Sequence, residues 1–170
     1  MNFINYKNPY WNPFYTLRGD SGFDLEAVHG ITIHPGETKL VKTGFRAEIP
    51  DGYEIQIRPR SGISLKTNLD IIFGTVDSNY RGEAGIIIRN NHGHPLQLLV
   101  NLLLVLLSFG WWHILRLPYW GTYTVKKGDR LAQGVICRVE TPEFRRSADL
   151  GVTNRGEKGF GSTGVNHCEL

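Results

Sequence analysis

The run Tyr53-Glu54-Ile55-Gln56-Ile57-Arg58 alternates strictly, with Ile55 and Ile57 set against Glu54, Gln56 and Arg58. Successive side chains of an extended strand point to opposite faces, so this period of two predicts a sheet with one buried face. Similar short runs lie upstream at Phe23 to Val28, Ile31 to Ile33 and Thr38 to Ile49, punctuated by His29-Gly30, Pro35-Gly36 and Pro50-Asp51-Gly52. Downstream, Gly121-Thr-Tyr-Thr-Val leads into the charged turn Lys126 to Arg130 and then the apolar run Leu131 to Val139. No amphipathic helix of three turns appears before residue 95. The pattern predicts an all-β body, sandwich or barrel-like.

A chain of 170 residues is long enough for one domain with a real core and too short for two. Its formal net charge of +3 comes from scattered Lys and Arg, which argues against a broad nucleic-acid surface and leaves small polyanions as partners. Cys137 and Cys168 have neither metal-ligand spacing nor a disulfide framework, as expected of a reducing compartment. The histidines at 29, 34, 92, 94, 113 and 167 show no zinc pattern. Met1 to Arg18 lacks a basic region leading into an apolar core, so the segment is not a secretory signal and a cytoplasmic protein is expected. Residues 1–17, aromatic and polar with two prolines and no period, predict an extended arm.

Three stretches carry chemistry. Gly74-Thr-Val-Asp-Ser-Asn-Tyr-Arg-Gly-Glu-Ala-Gly85 has apolar runs on both sides and reads as a hairpin whose polar tip presents Asp77 and Tyr80. Glycines at its shoulders, Gly74 and Gly85, would let backbone approach a flat ligand, although a plain solvated turn reads equally from these residues. Pro59-Arg60-Ser61-Gly62 ends a strand and can offer a guanidinium, a hydroxyl and backbone N–H groups to an anion, with a short helical turn starting there. The tail, Arg155-Gly-Glu-Lys-Gly-Phe-Gly-Ser-Thr-Gly164, places four glycines around Arg155, Phe160, Ser162 and Thr163. It suits wrapping a phosphate, with Phe160 available to lie over a base, and a floppy terminus is its plain alternative. Asp24 alternates with Phe23 and Leu25 and so points away from the core, and Gln133 sits within the strand after the 126–130 turn.

Residues 92–121 break the pattern. Eight leucines fall within Leu96 to Leu107, and no charged residue occurs between Arg89 and Arg116. A membrane helix needs about 20 apolar residues, but Gln97, Asn101, Ser108, Gly110 and His113 interrupt this one and β-type sequence resumes directly after it. An inserted helix or hairpin, packed on its own or a neighbouring subunit or on a protein partner, is expected instead of a bilayer span.

Taken in order, Ser21-Gly-Phe-Asp-Leu-Glu-Ala, Pro59-Arg-Ser-Gly, Gly74-Thr-Val-Asp-Ser-Asn-Tyr-Arg-Gly, Gly128-Asp-Arg-Leu-Ala-Gln and Arg155-Gly-Glu-Lys-Gly-Phe-Gly-Ser-Thr-Gly resemble the five motifs of the trimeric deoxyuridine triphosphatases. The resemblance covers Ser21 to Gly164 apart from the insertion. It implies a distorted jelly-roll, a homotrimer with active sites shared between subunits, and magnesium-dependent cleavage of dUTP to dUMP and pyrophosphate. Such an activity limits uracil incorporation into DNA and supplies dUMP for thymidylate synthesis. Some phage-encoded members carry extra segments at the position of this insertion, which would place the protein in a host cytoplasm.

Carried over motif by motif, the resemblance implies that Asp77 activates the attacking water and that Tyr80 lies under the deoxyribose, where a 2′-hydroxyl cannot fit. Gly74 and Gly85 would bound the backbone that pairs with uracil. Arg60, Ser61, Gly62 and Gln133 would contact phosphates, Asp24 would hold Mg2+ indirectly through water, and Asp129 would give support. The tail from 154 onward would close the site, with Arg155, Gly161, Ser162 and Thr163 on the γ-phosphate and Phe160 on the uracil. Magnesium suits this set because it prefers oxygen ligands, keeps several waters and can take its remaining ligands from the triphosphate. Two alternatives remain open at this level: a dCTP deaminase, which shares the fold but uses a glutamate, and a regulatory nucleotide-binding protein acting through the insertion.

Overall fold

The computed structural model describes residues 4–92 and 121–157. In chain order its elements are β1 (Asn5–Lys7), β2 (Gly22–Glu26), β3 (Ile31–Ile33), β4 (Thr38–Lys42), β5 (Arg46–Glu48), β6 (Tyr53–Pro59), α1 (Ser61–Lys66), β7 (Leu69–Ile71), β8 (Gly74–Val76), β9 (Gly85–Asn90), β10 (Tyr123–Val125) and β11 (Arg130–Arg138). A four-stranded sheet runs β2-β11-β6-β8 and a three-stranded sheet runs β4-β9-β7, while β1 pairs with β5 and β10 with β3. All of these pairings are antiparallel.

The alternation in β6 is realised: Ile55 and Ile57 are buried, and Glu54, Gln56 and Arg58 are half-buried on the other face. Phe23 and Leu25 of β2, Val41 of β4, Ile86 and Ile88 of β9, and Leu131 and Ala132 of β11 join them, so both larger sheets share one core. Gly134 is the close-packing point of β11, because a Cβ there would lie 2.5 Å from the Phe23 ring. The short β3–β4 turn is closed by the Glu37 carboxylate, which accepts from the His34 N–H at 2.9 Å and pairs with Lys39 at 2.9 Å. These two partners, the backbone N–H first, hold the Glu37 carboxyl below its ordinary value.

Three expectations need revision. The run Thr38 to Ile49 is two strands, β4 and β5, because Gly44 adopts φ +69 and a left-handed residue cannot continue a ladder. The 1–17 arm is extended, yet it contributes β1 to a pair with β5 and packs Ile4 and Trp11 against the core. The hairpin expected around Gly74–Gly85 is realised in its apolar flanks, with Ile71 opposite Ile88 and the Ile72 N–H donating to the Ile87 carbonyl at 2.9 Å, but between them β8 leaves to pair with β6 in the other sheet. The apolar flanks report their own pairing but not that the three residues between them and the polar loop join another sheet. The loop 77–84 is therefore a corner between sheets.

The ends of the apolar insertion meet. The buried Asn90 amide donates to the Gly121 carbonyl at 2.7 Å and to the Ile33 carbonyl at 3.0 Å, tying the end of β9 to the approach to β10. The expected appendage itself, at 93–120, lies outside the described residues. Among the described residues no helix is long and apolar enough to cross a membrane. The chain divides into compact units Met1–Glu140 and Thr141–Leu170, and the described part of the second is exposed throughout, with local turns at Asp149–Gly151 and Thr153–Gly156.

Ile86 is fully buried in β9. Its replacement by alanine removes three methyl or methylene groups from a close-packed site and should cost about 2–5 kcal/mol in urea unfolding. A loss below about 1 kcal/mol would mean that the site is not part of a close-packed core.

Candidate active site

Motifs one, two and four converge at one end of the four-stranded sheet. In β11, Gln133 sits directly opposite Asp24 of β2 on one side and Arg58 of β6 on the other. Arg60 follows the end of β6 as the N-cap of α1, with Ser61 and Gly62 opening the helix, as the expected helical turn requires. Its Nε lies 3.0 Å from Asp24 Oδ1, and its Nη1 donates to the Arg130 carbonyl at 2.9 Å. Arg130 reaches the other carboxylate oxygen, Nη1 to Oδ2, at 3.1 Å. The Gln133 amide donates to the Pro59 carbonyl at 3.0 Å. Gly22 leaves room for it, since a Cβ there would come within 3.0 Å of Gln133 Oε1.

Asp24 therefore sits between two guanidinium groups, its side chain 12 % exposed. Partly exposed ion pairs contribute only about 0–1 kcal/mol each, so these contacts fix geometry more than they stabilise the fold. A guanidinium carries five N–H donors in a rigid fork, and these contacts leave Arg60 and Arg130 with capacity to meet an anion. The carboxylate of Asp129 accepts from the Lys126 N–H at 2.8 Å and its carbonyl accepts from the Ala27 N–H at 3.0 Å, so it shapes the turn before β11. In the sequence Arg130 stands out only as part of the motif Gly128-Asp-Arg-Leu-Ala-Gln. Its role as second partner of Asp24 depends on the β2–β11 register.

The loop 77–84 carries the other half. Asp77 is exposed, and its carbonyl accepts from the Tyr80 N–H at 3.1 Å in a tight turn. Arg81 Nη1 staples the tip by donating to the carbonyls of Ser78 at 2.6 Å and Tyr80 at 3.1 Å. The Tyr80 hydroxyl donates to the Glu83 carbonyl at 3.2 Å. Gly85 faces Leu40 closely, a Cβ there lying 2.6 Å from Leu40 Cδ1, whereas one at Gly74 would meet Ile57 at an ordinary 3.6 Å.

These two halves lie apart. In the β6–β8 ladder Gly74 faces Ile57 and Val76 faces Ile55, so Asp77 follows toward the Tyr53 end of β6, while Arg60 follows its Pro59 end. Five or six residues of strand separate them, about 15–20 Å at roughly 3.3 Å per residue. One copy of the chain holds Asp24, Arg60 and Gln133 together and holds Asp77 and Tyr80 together, but not the two sets with each other. Arg155 falls in the Thr141–Leu170 unit, and Phe160, Gly161, Ser162 and Thr163 lie outside the described residues.

Among the described residues no group of three or more His, Cys, Asp and Glu could hold a metal ion. Asp24, the carboxylate of the arginine cluster, is a hard oxygen donor, and a single such donor fits an ion that draws its other ligands from water and phosphate.

The family model described as dUTPase matches residues 12–101 and 121–164, with 102–120 outside the match. The chain is 38% identical over 155 residues to the deoxyuridine 5′-triphosphate nucleotidohydrolase of Trichodesmium erythraeum, covering 90% of each chain. To the same-named protein of Caulobacter vibrioides it is 39% identical over 159 residues, 90% of this chain and 85% of that one. Among solved structures, the Staphylococcus bacteriophage 80alpha dUTPase with dUpNHpp superposes with a TM-score of 0.81 at 30% identity, covering 97% of this chain and 100% of that one. A mutant dUTPase of S. aureus phage phi11, whose structure describes the coordination of a structural Mg(II) ion, gives a TM-score of 0.71 at 27% identity over 88% of this chain and 99% of that one. An all-β jelly-roll-type chain with these motifs in these places, matched over most of its length by sequence and by structure, belongs to the dUTPase family of hydrolases.

Proposed function

We propose that the protein hydrolyses dUTP to dUMP and pyrophosphate at sites that different copies of the chain complete for one another. The observation that carries this reading is the separation of the two half-sites at opposite ends of β6. A cluster of cations and amides whose one carboxylate, Asp24, is engaged by two guanidinium groups, and a carboxylate loop without phosphate contacts, become one site only when a second copy meets the first. A closed homotrimer satisfies this head-to-tail requirement in a ring.

In such a site Asp77 accepts a proton from water as the water oxygen attacks the α-phosphorus. The bond from that phosphorus to the bridging oxygen breaks, and pyrophosphate leaves with the electron pair. The exposed position of Asp77 on a stapled turn suits a base that must meet a substrate brought by another copy. Backbone between Gly74 and Gly85 pairs with the uracil edge, and Tyr80 fills the space a ribose 2′-hydroxyl needs. Arg60, Ser61, Gly62 and Gln133 position the phosphates from the neighbouring copy. Asp24 would hold magnesium through water, and the ion would supply positive charge against the triphosphate oxygens. Domain organisation follows: an arm at 1–20, a catalytic body at 21–153 interrupted at 92–121, and a tail from 154 that covers bound substrate with Arg155, Phe160, Gly161, Ser162 and Thr163.

The decisive experiment is pyrophosphate release from dUTP with Asp77→Asn. Loss of a general base costs about 10²- to 10⁴-fold, so kcat should fall by that much while nucleotide binding persists. A rate near wild type would remove Asp77 from the reaction. Truncation after Thr153 should abolish efficient turnover yet leave the fold intact by circular dichroism, because a closing segment excludes water only once substrate is bound. Equal turnover of full-length and truncated chains would exclude the tail from the site.

A further inference from the structure

We infer that Gly82 and Glu83 are positioning residues for sugar selection, holding the Tyr80 ring in place from below and from its hydroxyl end. The inference rests on the reading of Tyr80 as the group that excludes a 2′-hydroxyl. Tyr80 is 45% exposed on a loop, so nothing in core packing fixes its ring. Two local contacts do. The hydroxyl donates to the Glu83 carbonyl at 3.2 Å, and the ring lies over Gly82, where a Cβ would come 2.2 Å from the hydroxyl oxygen and 2.3 Å from Cζ. Gly82 is not among the glycines with positive φ, so its backbone would accept alanine and the ring is what demands glycine there.

The Glu83 carbonyl is a useful anchor only if Glu83 is itself fixed. Its carboxylate accepts from the Gly44 N–H at 2.9 Å. The next residue is held twice: the Ala84 N–H donates to the Phe45 carbonyl at 2.8 Å, and the Ala84 carbonyl accepts from the buried Thr43 hydroxyl. The break between β4 and β5 at Thr43–Phe45 thus serves as a strap across the loop. From its other side the strap is fastened by the N-terminal arm, with Trp11 Nε1 donating to the Thr43 carbonyl at 2.9 Å and Asn8 donating to the same oxygen at 3.3 Å. Phe45 is buried against the stacked rings of Tyr6 and Trp11, at centroid distances of 6.3 and 5.8 Å. A continuous set of contacts runs from arm to strap to Glu83 to Tyr80.

Rejecting a single added hydroxyl requires the excluding group to stand in its place to within a fraction of an ångström, and a misplacement of about 1 Å costs up to about 10²-fold. Gly82→Ala should push the ring aside, and Glu83→Ala should release its anchor. The test is kcat/KM for dUTP and for UTP in wild type, Tyr80→Ala, Gly82→Ala, Glu83→Ala, Glu83→Gln and the Tyr80→Ala/Gly82→Ala pair, with circular dichroism to verify folding. Gly82→Ala and Glu83→Ala should each narrow the dUTP-to-UTP ratio by about tenfold or more. Glu83→Gln, whose amide oxygen can still accept from Gly44, should restore the ratio toward wild type, and Gly82→Ala should change nothing further once Tyr80 is alanine. If Tyr80→Ala itself keeps the wild-type ratio, the reading of Tyr80 fails. If Tyr80→Ala narrows the ratio while folded Gly82→Ala and Glu83→Ala keep it, the positioning role assigned here is overturned.

Discussion

The antiparallel pairing of β8 against β6 is the constraint on which the rest of the site depends. Because the chain turns from β6 through α1 and β7 before returning antiparallel as β8, whatever follows β8 must emerge at the end of β6 where the strand began. Arg60 emerges at the other end. Register therefore separates the carboxylate of Asp77 from the arginines that would meet phosphate, and side-chain flexibility cannot close a gap of about 15–20 Å. In the proposed enzyme the separation is closed by assembly, which makes association of copies a condition of chemistry.

Within the half that holds Asp24, Arg60 and Arg130, the local rule is electrostatic pre-organisation. Asp24 lies on the polar face of a strand whose other face is core, and its two arginines come from the end of β6 and the start of β11. The carboxylate aligns two long cationic side chains that would otherwise lose considerable freedom on meeting a ligand. On the loop half, hydrogen bonds between side chains and backbone, those of Arg81 and Glu83 among them, and aromatic contact do the equivalent work. The strap at Thr43–Phe45 is a discontinuity in what would have been one long strand, and the residues it frees from ladder pairing are the ones that hold Glu83 and Ala84.

Much of this was legible from residues. The alternation of Ile55 and Ile57 with Glu54, Gln56 and Arg58 placed β6 correctly, and the outward position of Asp24 followed from Phe23 and Leu25 being apolar. The turn at Arg60-Ser61-Gly62 begins a helix as its composition suggested. Strand partnership was half legible: the apolar runs at 71–73 and 86–88 do pair in the manner of a hairpin, Ile71 opposite Ile88, yet β8 between them joins the other sheet. Period and turn chemistry report local conformation, whereas partnership is decided by nonlocal packing. For the same reason Arg130 and Glu83 were invisible as partners of Asp24 and Tyr80, since neither pairing follows a sequence period.

The central claim is that one copy supplies Asp77 and another supplies Arg60. It is tested most directly by mixing two variants, Asp77→Asn and Arg60→Ala, under conditions that exchange subunits, and measuring pyrophosphate release from dUTP. Each variant alone should be nearly inactive. In a random equal mixture about one site in four combines an intact Asp77 loop with an intact Arg60 cluster, so activity should rise to about a quarter of wild type. If mass spectrometry shows mixed assemblies and activity stays at the level of the separate variants, the two half-sites do not complete one another across copies and the account is wrong.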